Sequence, residues 1–499
     1  MGGTDGTGSR AGRGLIPVPD QRAAELTDWW PADRIPAIQL RYNRTYVFAI
    51  SLASALGGLL FGYDWVVIGG AKPFYEPFFG IAGVPALQGW AMSCALVGCV
   101  AGALLSGGLS DRFGRKRLLL LSAGLFVAGS LGTGFAGSFT MFVLFRMLGG
   151  VGIGLASNLS PMYIAEVTPA HVRGRFVSLN QLTIVIGILA AQIVNWRVAR
   201  PVPKGASAAE ILASWNGQTG WRWMFWACAV PAGLFFLFVL FVPESPRWLV
   251  KRGREERARA VLARVGGGAY ADDELRSIRE TLARETGKAG FRDLARPGMS
   301  RVLTLGIVLA VFQQWCGINV IFNYAQEIFA AAGYGVSAIL FNIVITGGVN
   351  LVFTFVAIAT VDRIGRKPLM LIGAGGLAGI FALTGLLFFL KFQGLPLLIL
   401  VVSAIACYGM SLAPVTWVVL SEIFPNRVRG AAMSAATFSL WTACFVLTYT
   451  FPLLNHALKA SGTFWLYAGI CLLGFAFIKI RLPETKGKSL ERIEHELVG

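Results

Sequence analysis

An acid and a base stand inside two stretches of the sequence that are otherwise apolar. The stretch GGLLFGYDWVVIGG, residues 57–70, contains Asp64, and the apolar segment 139–165 contains Arg146. A charge in the middle of a membrane-spanning helix costs about 3 kcal/mol or more, so it faces a protein interior and usually has a function. A carboxylate beside a guanidinium stays charged, and it takes up a proton more readily when the guanidinium is withdrawn. Asp64 and Arg146 are therefore candidates for a proton-coupling pair, and the alternative is a static ion pair that orients two helices.

The depth of both charges follows from helix geometry. If the first apolar helix spans 46–70, Asp64 lies about 9 Å from its end, at about 1.5 Å per residue. Arg146 lies about 10 Å from the start of its own segment by the same arithmetic. The two charges thus lie at matching depths, and we identify no other clearly internal charge. The remaining charges lie at segment ends, among them Glu166, Glu327, Glu422, Lys479 and Arg481.

A group of amide side chains lies in one apolar segment of the second half. Gln313, Gln314 and Asn319 all fall within the segment 302–328. Each amide both donates and accepts hydrogen bonds, which suits a ligand rich in hydroxyl groups. Gly317 stands between them and allows the helix either to unwind or to approach a neighbour closely. These residues predict a binding site, and the alternative is hydrogen bonding between helices.

The elements that position these residues are membrane-spanning helices. The chain has 499 residues, of which 55% are hydrophobic and 14% charged, and its mean hydropathy is +0.63. Apolar runs of about 20 residues, each long enough to span a bilayer as a helix, recur along the chain. We predict twelve spans, near 46–70, 86–108, 117–136, 139–165, 175–196, 221–242, 302–328, 337–361, 368–390, 395–421, 428–451 and 462–480.

The net charge of +18 comes from loops between these spans. Basic residues concentrate in short loops such as DRFGRKR (111–117) and DRIGRKP (362–368) rather than in one patch. This distribution sets membrane orientation and argues against a nucleic-acid partner. It predicts that these loops and both termini lie in the cytoplasm. No apolar signal-peptide core precedes the first span, which predicts a cytoplasmic N-terminal tail.

The sequence predicts neither an enzyme nor a bound cofactor. The seven cysteines lie in apolar runs without metal-ligand spacing, and the three histidines lie in loops or in the tail. We find no Ser/His/Asp or Cys/His arrangement and no P-loop, which argues against a membrane enzyme and an ATP-driven pump. We expect no metal and no cofactor, with protons as the coupling ion, and a functional monomer.

The two halves of the chain repeat each other. GGLSDRFGRK (107–116) matches TVDRIGRK (360–367), and YIAEVTPAHVRGR (163–175) matches VLSEIFPNRVRG (419–430). PESPRW (243–248) likewise matches PETKGK (483–488). Two six-helix halves with a central site can expose that site to each side of the membrane in turn. The predicted organisation is an N-terminal tail (1–45), a six-helix bundle (46–242), a linker with amphipathic helices (243–301), a second bundle (302–481) and a C-terminal tail (482–499).

These motifs carry a family resemblance over residues 41–496. The chain resembles the sugar porter family of the major facilitator superfamily, its bacterial xylose–proton symporters most and its facilitative glucose transporters more distantly. The matching blocks include GGLLFGYD, SDRFGRK, PESPRWL, FQQWCGIN, VDRIGRKP, PVTWVVLSEIFPNRVRG and PETKGKSLE. The resemblance implies an all-α polytopic membrane protein with twelve transmembrane helices in two pseudo-symmetric six-helix bundles and short cytoplasmic helices between them.

The resemblance also implies roles for individual residues. Asp64 is similar to the acid of proton-coupled members, whereas uniporters have Asn in this motif. Two positions depart from the family pattern and alter the pocket wall, because Leu440 replaces an amide and Asn323 replaces the first of two common tyrosines. The resemblance assigns sugar contact to Gln181, Gln313, Gln314, Tyr324, Asn350, Asn319 and Trp417.

The charged residues of the repeated loops are candidates for a cytoplasmic gate. Arginine–carboxylate pairs at helix ends can hold the inner gate closed in the outward-open state and break in the inward-open one. The alternative is that these residues are solvated loop charges. The candidates are Asp111, Arg112, Arg115, Glu166, Arg173 and Glu244, with their counterparts Asp362, Arg363, Arg366, Glu422, Arg429 and Glu484.

The predicted function is import of a monosaccharide by proton symport in the cell membrane. The sugar is expected to be an aldopentose such as xylose or an aldohexose such as glucose or galactose. A facilitative uniporter and a cyclitol (inositol)–proton symporter remain alternatives. A sugar sensor that does not transport would have a long cytoplasmic tail, and this chain leaves little room for one.

Overall fold

The computed structural model describes residue 2 and residues 42–203, 205–284, 298–424 and 428–486, where all regular secondary structure is helical. The first half contains α1 (Arg44–Phe78), α2 (Pro85–Phe113), α3 (Arg115–Phe135), α4 (Phe139–Val167), α5 (Arg173–Val198), α6 (Ala208–Ala213), α7 (Trp221–Ala227) and α8 (Ala229–Phe241). Single turns occur at Ala170–Val172 and Asn216–Gly220. The linker forms α9 (Pro246–Lys251) and α10 (Glu255–Arg284). The second half contains α11 (Met299–Trp315), α12 (Ile318–Asn323), α13 (Ala325–Ala331), α14 (Val336–Ile364), α15 (Arg366–Phe389), α16 (Leu395–Gly409), α17 (Leu412–Ile423) and α18 (Arg429–Arg481).

Eleven helices in the described ranges are long and apolar enough to span a membrane. The last of them, Ala431–Arg481, is 51 residues long and bends at Lys459, where φ is 58° and ψ is 173°. It therefore contains both of the last two predicted spans. The fold is twelve membrane-spanning helices in two six-helix bundles, which confirms the predicted fold class. Large apolar side chains such as Phe241 (80% exposed) and Leu473 (74% exposed) cover the outside, as a multi-pass membrane protein requires.

The first helix is longer than predicted. It begins after Asn43, whose side chain accepts a hydrogen bond from the backbone of Tyr46 (3.0 Å), and it continues to Phe78. Its predicted end at residue 70 is wrong. Prolines at 73 and 77 stand in its last turns and do not end it. Asp64 consequently lies 14 residues, or about 21 Å, from the end of the helix rather than about 9 Å.

The repeated loops define one face of the bundle, which we call the motif face. There, the carboxylate of Glu244 accepts hydrogen bonds from the first two backbone amides of α3, at 2.9 and 3.2 Å. Glu484 binds the first two amides of α15 in the same way, at 3.1 Å each. A carboxylate at a helix N-terminus satisfies free donors and complements the helix dipole. The internal repeat of the sequence thus appears as the same helix cap, made twice.

The two bundles contact each other near the face that lies across the membrane from the motif face, which we call the opposite face. Gly89 of α2 packs so closely on α18 that a Cβ atom there would lie 2.3 Å from the carbonyl oxygen of Tyr449. The backbone amide of Val202 donates to the hydroxyl of Ser337 at 3.0 Å, which also joins the two bundles. The structure is therefore closed at the opposite face.

The linker helices pack against the first bundle at the motif face. Lys251 of α9 binds the carboxylate of Asp111 at 2.8 Å, and Arg252 donates to the backbone oxygens of Asp111 and Arg112. The backbone amide of Asn43 donates to Val265 of α10 at 2.7 Å. The sequence predicts amphipathic helices in this linker, and the structure has two helices there. The second helix bends at Gly267 (φ 84°). The predicted boundaries of the two tails, the two bundles and the linker stay predictions. Most of the N-terminal tail and most of the C-terminal tail lie outside the described residues.

Candidate functional site

The pair that the sequence identified, Asp64 and Arg146, is formed in the structure. Asp64 on α1 accepts a hydrogen bond from a terminal nitrogen of the Arg146 guanidinium on α4, and the two residues are 6% and 5% exposed. The guanidinium also lies 5.6 Å from the centre of the Phe225 ring. Burial away from water strengthens the attraction between the two charges and makes separation costly.

A small cavity adjoins this pair. Its volume is about 20 Å³, which accommodates about one water molecule. Asp64, Arg146 and Trp65 line it from the first bundle, and Asn323 lines it from the second. Asn323, which the sequence marked as unusual, therefore lies beside the proposed proton carrier. A side chain from one bundle thus helps to enclose an acid of the other.

The amides of the second bundle form a chain of hydrogen bonds. Gln313 donates to the hydroxyl of Tyr408 at 2.7 Å, Gln314 donates to Gln313, and Asn319 donates to Gln314. All three amides are between 5% and 7% exposed. Tyr408 on α16 is a member that the sequence did not reveal, because its partner becomes visible only when α11 and α16 pack together. A row of buried amides held in fixed orientation can recognise the hydroxyl groups of a small polar ligand.

Gly317 breaks the helix that carries this row, which is one of the two possibilities that the sequence left open. Its backbone is left-handed (φ 88°), so α11 ends at Trp315 and α12 begins at Ile318. A Cβ atom at this position would lie 2.9 Å from the ring of Tyr467. Both the backbone conformation and the space favour glycine. The break lets Asn319 reach back to Gln314, five residues earlier, which places both amides in one row.

The other predicted sugar contacts lie outside this hydrogen-bonded row. Asn350 on α14 is 5% exposed, Gln181 on α5 is half-buried, and Trp417 on α17 is 36% exposed. Leu440, which stands in place of an expected amide, is buried at 4% exposure. Tyr324 is fully buried and donates to the carbonyl oxygen of Thr448 at 2.6 Å, so its hydroxyl is already satisfied. The roles of these residues stay predictions.

Sequence reasoning missed a second group of buried charges. Lys72 and Glu76, on the part of α1 beyond the predicted span, are 2% and 8% exposed. The ammonium of Lys72 lies 3.5 Å from Glu76 and also contacts Glu327 of α13. Our expectation that Asp64 and Arg146 are the clearly internal charges is therefore wrong. The sequence does contain a signal for this group. The spacing of Lys72 and Glu76 places opposite charges one helical turn apart, between aromatic residues.

The candidate gate residues at the motif face form ion pairs that repeat in both halves. Arg115 binds Glu166 at 2.9 Å and Asp111 at 3.5 Å, and Arg366 binds Glu422 at 3.0 Å. Each of these pairs joins two residues of the same half. Arg173 is exposed, and the backbone oxygens of Arg112 and Arg363 accept hydrogen bonds from Arg252 and Lys486. The side chains of Asp362 and Arg429 lie outside the described residues.

The helix cap formed by Glu484 affects the ionisation of that residue. Partial burial opposes the charged form, but backbone amides of Lys486, Arg366 and Lys367 donate to the carboxylate and lower its pKa below the ordinary value. The charged carboxylate is therefore the form that the fold stabilises.

The protein has a two-bundle membrane fold with a buried ion pair, a broken helix and a row of amides. These features are typical of polytopic membrane transporters. A family model described as "Sugar (and other) transporter" matches residues 50–497. The chain belongs to this family, whose members are transporters rather than enzymes.

Two curated relatives and one solved structure show how close the similarity is. The chain is 40% identical to the D-xylose-proton symporter of Escherichia coli (strain K12), over 91% of this chain and 96% of that protein. It is 38% identical to the arabinose-proton symporter of Bacillus subtilis (strain 168), over 91% of this chain and 95% of that protein. The inward-open structure of the xylose transporter of E. coli superposes with a TM-score of 0.79 at 37% identity, covering 90% of this chain and all of that one.

Proposed function

We propose that this chain imports a monosaccharide together with a proton, by alternating access across the cell membrane. The substrate class is an aldopentose such as xylose or an aldohexose such as glucose or galactose. The observation that carries the proposal is the buried pair of Asp64 and Arg146 beside a cavity that Asn323 of the other bundle helps to line. The names of the relatives, which include xylose–proton and arabinose–proton symporters, support the same reading.

In this proposal Asp64 is the proton carrier. Arg146 keeps it charged in one state, and withdrawal of the guanidinium lets it bind a proton in another. The buried amide row from Gln313 to Asn319 binds the hydroxyl groups of the sugar, and Trp417 supplies an aromatic face. No metal or organic cofactor takes part.

The motif face is cytoplasmic in this proposal, and the opposite face is the external one. Basic loops at the motif face support this orientation, and both termini then lie in the cytoplasm. The structure corresponds to a state that is closed to the outside. Repeated ion pairs such as Arg115–Glu166 and Arg366–Glu422 would hold helix ends of each half together as that half moves. The transporter acts as a monomer.

An uptake assay tests substrate and coupling together. The purified protein is placed in proteoliposomes and given a panel of pentoses, hexoses and inositol, with and without an imposed pH gradient. The proposal predicts accumulation of one monosaccharide above its external concentration only when the vesicle exterior is acidic. Uptake that stops at equal concentrations under a gradient would identify a uniporter, and accumulation of inositol alone would identify a cyclitol symporter.

A further inference from the structure

Two buried charges and one partly exposed charge meet where the two bundles touch near the opposite face. Lys72 and Glu76 belong to α1 of the first bundle, and Glu327 belongs to α13 of the second. The ammonium of Lys72 lies between the two carboxylates, 3.5 Å from Glu76 and in direct contact with Glu327. It also lies 4.5 Å from the centre of the Tyr324 ring, which favours a cation at this place. We call these three residues the Lys72 cluster.

The cluster has one negative charge too many for a buried site. Two carboxylates share one ammonium, and the uncharged amide of Gln88 donates to Glu76 at 2.8 Å. Burying a net charge away from water is unfavourable, and a group in that position usually neutralises instead. A single proton on either carboxylate would balance the cluster.

The carboxylate oxygens show where that proton can bind. Within the part of the chain that the structure describes, Oε2 of Glu327 is a buried oxygen without a hydrogen-bond partner, whereas Oε1 of Glu76 faces the ammonium of Lys72 at 3.5 Å. The side chain of Glu76 is 10% exposed, and that of Glu327 is 26% exposed. An ionised carboxylate normally accepts hydrogen bonds at both oxygens when it is buried, so an oxygen without a donor is suited to carry a proton.

Four other ionisable groups of the described residues, Tyr75, Tyr324, Arg146 and Arg222, do not supply the missing positive charge. On α1, the phenol of Tyr75 is hydrogen-bonded to the sulfur of Met92, on α2, at 3.3 Å. On the second bundle, the phenol of Tyr324 donates to a backbone oxygen of α18. In the first bundle, the guanidinium of Arg146 is paired with Asp64, and that of Arg222 donates to the backbone oxygens of Gly134 and Ala136.

We propose that the Lys72 cluster is a second proton-binding site, which binds one proton when the bundles close at the opposite face and releases it when they open. Opening removes Glu327 from Lys72 and exposes the carboxylates to water, where the proton leaves. Closing buries both carboxylates with one ammonium, and one of them takes the proton from the water on that side. The inference rests on the proposed function for its alternation between two states.

This proton differs from the one that Asp64 would carry. The cluster lies near the opposite face and opens only to that side, so its proton enters and leaves on the same side. It therefore shifts the balance between the two states with pH and does not add to the number of protons transported. Lower pH favours the closed state, because that state binds more protons.

The test measures the ratio of closed to open protein at different pH values. Spin labels on cysteines introduced at the exposed positions Ala82 and Gln393 report the distance between the bundles at the opposite face. Cys407, the native cysteine that is not buried, is replaced by alanine. The measurement is made in an Asp64→Asn background, which removes the proposed carrier, between about pH 5 and about pH 8.

In this background the closed-to-open ratio should rise about tenfold per pH unit on acidification while one proton binds. Adding Glu76→Gln, which leaves Lys72 paired with Glu327, should reduce the change to less than about twofold over the whole range. Glu210→Gln, which removes an exposed acid from α6, is the matched control and should retain the full pH dependence. If Glu76→Gln does not fold, Glu327→Gln serves the same purpose, because the loss of either carboxylate removes the excess charge.

An unchanged pH dependence after Glu76→Gln, or its complete absence in Asp64→Asn alone, would overturn the inference. The transport assay separates this outcome from failure of the proposed function. In otherwise native protein, Glu76→Gln should leave the number of protons per sugar unchanged, whereas Asp64→Asn should abolish coupling. If Asp64→Asn retains coupling, the carrier is wrong, and the spectroscopic result on the cluster still stands by itself.

Discussion

Replacing Gly89 by alanine tests whether closure at the opposite face depends on close packing of α2 against α18. The added methyl group would lie 2.3 Å from the carbonyl oxygen of Tyr449 and 3.2 Å from its carbonyl carbon. Carbon and oxygen atoms in normal contact are about 3.4 Å apart, so the two helices must separate by about 1 Å. Because the obstacle is backbone, no change of rotamer can relieve it.

The cost of this overpacking is about 1–3 kcal/mol. It applies only to the closed state, because α2 and α18 belong to different bundles that separate when the face opens. The closed-to-open ratio should therefore fall by about 5- to 150-fold. The gain in helix propensity from glycine to alanine is common to both states and cancels in the ratio.

Spin labels at Ala82 and Gln393 measure this ratio directly. The matched control is Gly108→Ala, the same substitution on the same helix, where a Cβ atom would meet nothing within 4 Å. The control should have the native distance distribution, and Gly89→Ala should shift towards longer distances. A native distribution in Gly89→Ala would show that the approach of α2 and α18 does not limit closure.

Three further perturbations probe the carrier, the amide row and the helix cap. Asp64→Asn should abolish uphill accumulation and sugar-induced alkalinisation but retain sugar exchange, so accumulation at the native level would exclude Asp64 as the carrier. Gln314→Ala and Asn319→Ala should each weaken sugar binding by about 1–3 kcal/mol, measured by calorimetry, because a buried partner loses its hydrogen bond; native affinity in both would place the site elsewhere. The Glu484 carboxyl has a lowered pKa, so its contribution to stability is complete above its unfolded pKa and lost as pH falls through the folded value. The difference in Tm between native protein and Glu484→Gln should therefore be constant above about pH 5 and shrink below about pH 4, and a constant difference at lower pH would contradict this account.

The elements most accessible from the sequence were those that depend on local composition. Hydropathy identified the spans, and the repeated loops identified two halves, because both signals reside in contiguous residues. The pairing of Asp64 with Arg146 was also accessible, since few charges lie in apolar segments and these two must find a partner there. Gly317, between polar residues, indicated either a break or a close approach, and the structure shows the break.

The parts that the sequence did not reveal depend on helix length and on contacts between distant segments. Lys72 lowers the local hydropathy, so hydropathy predicts an end of the first span before this residue. In the structure, Lys72 and Glu76 offset each other on one helix face. Their partner, Glu327, belongs to the other bundle. The sequence places it at the end of a predicted span, which gives no indication of a buried partner. Tyr408 likewise joins the amide row only through the packing of α16 against α11. Such partners cannot be identified from periodicity in either segment alone.

One short part of the second bundle contacts both proposed proton sites. Asn323, at the end of α12, lines the cavity of Asp64, and Glu327, on the adjoining α13, contacts Lys72. Both Asp64 and Lys72 lie on α1, eight residues or about 12 Å apart. Movement of α12 and α13 away from α1 would therefore open the cavity and break the Lys72 cluster together. Proton access to the carrier and closure of the opposite face are then two results of one rearrangement, which is the linkage that a symporter requires.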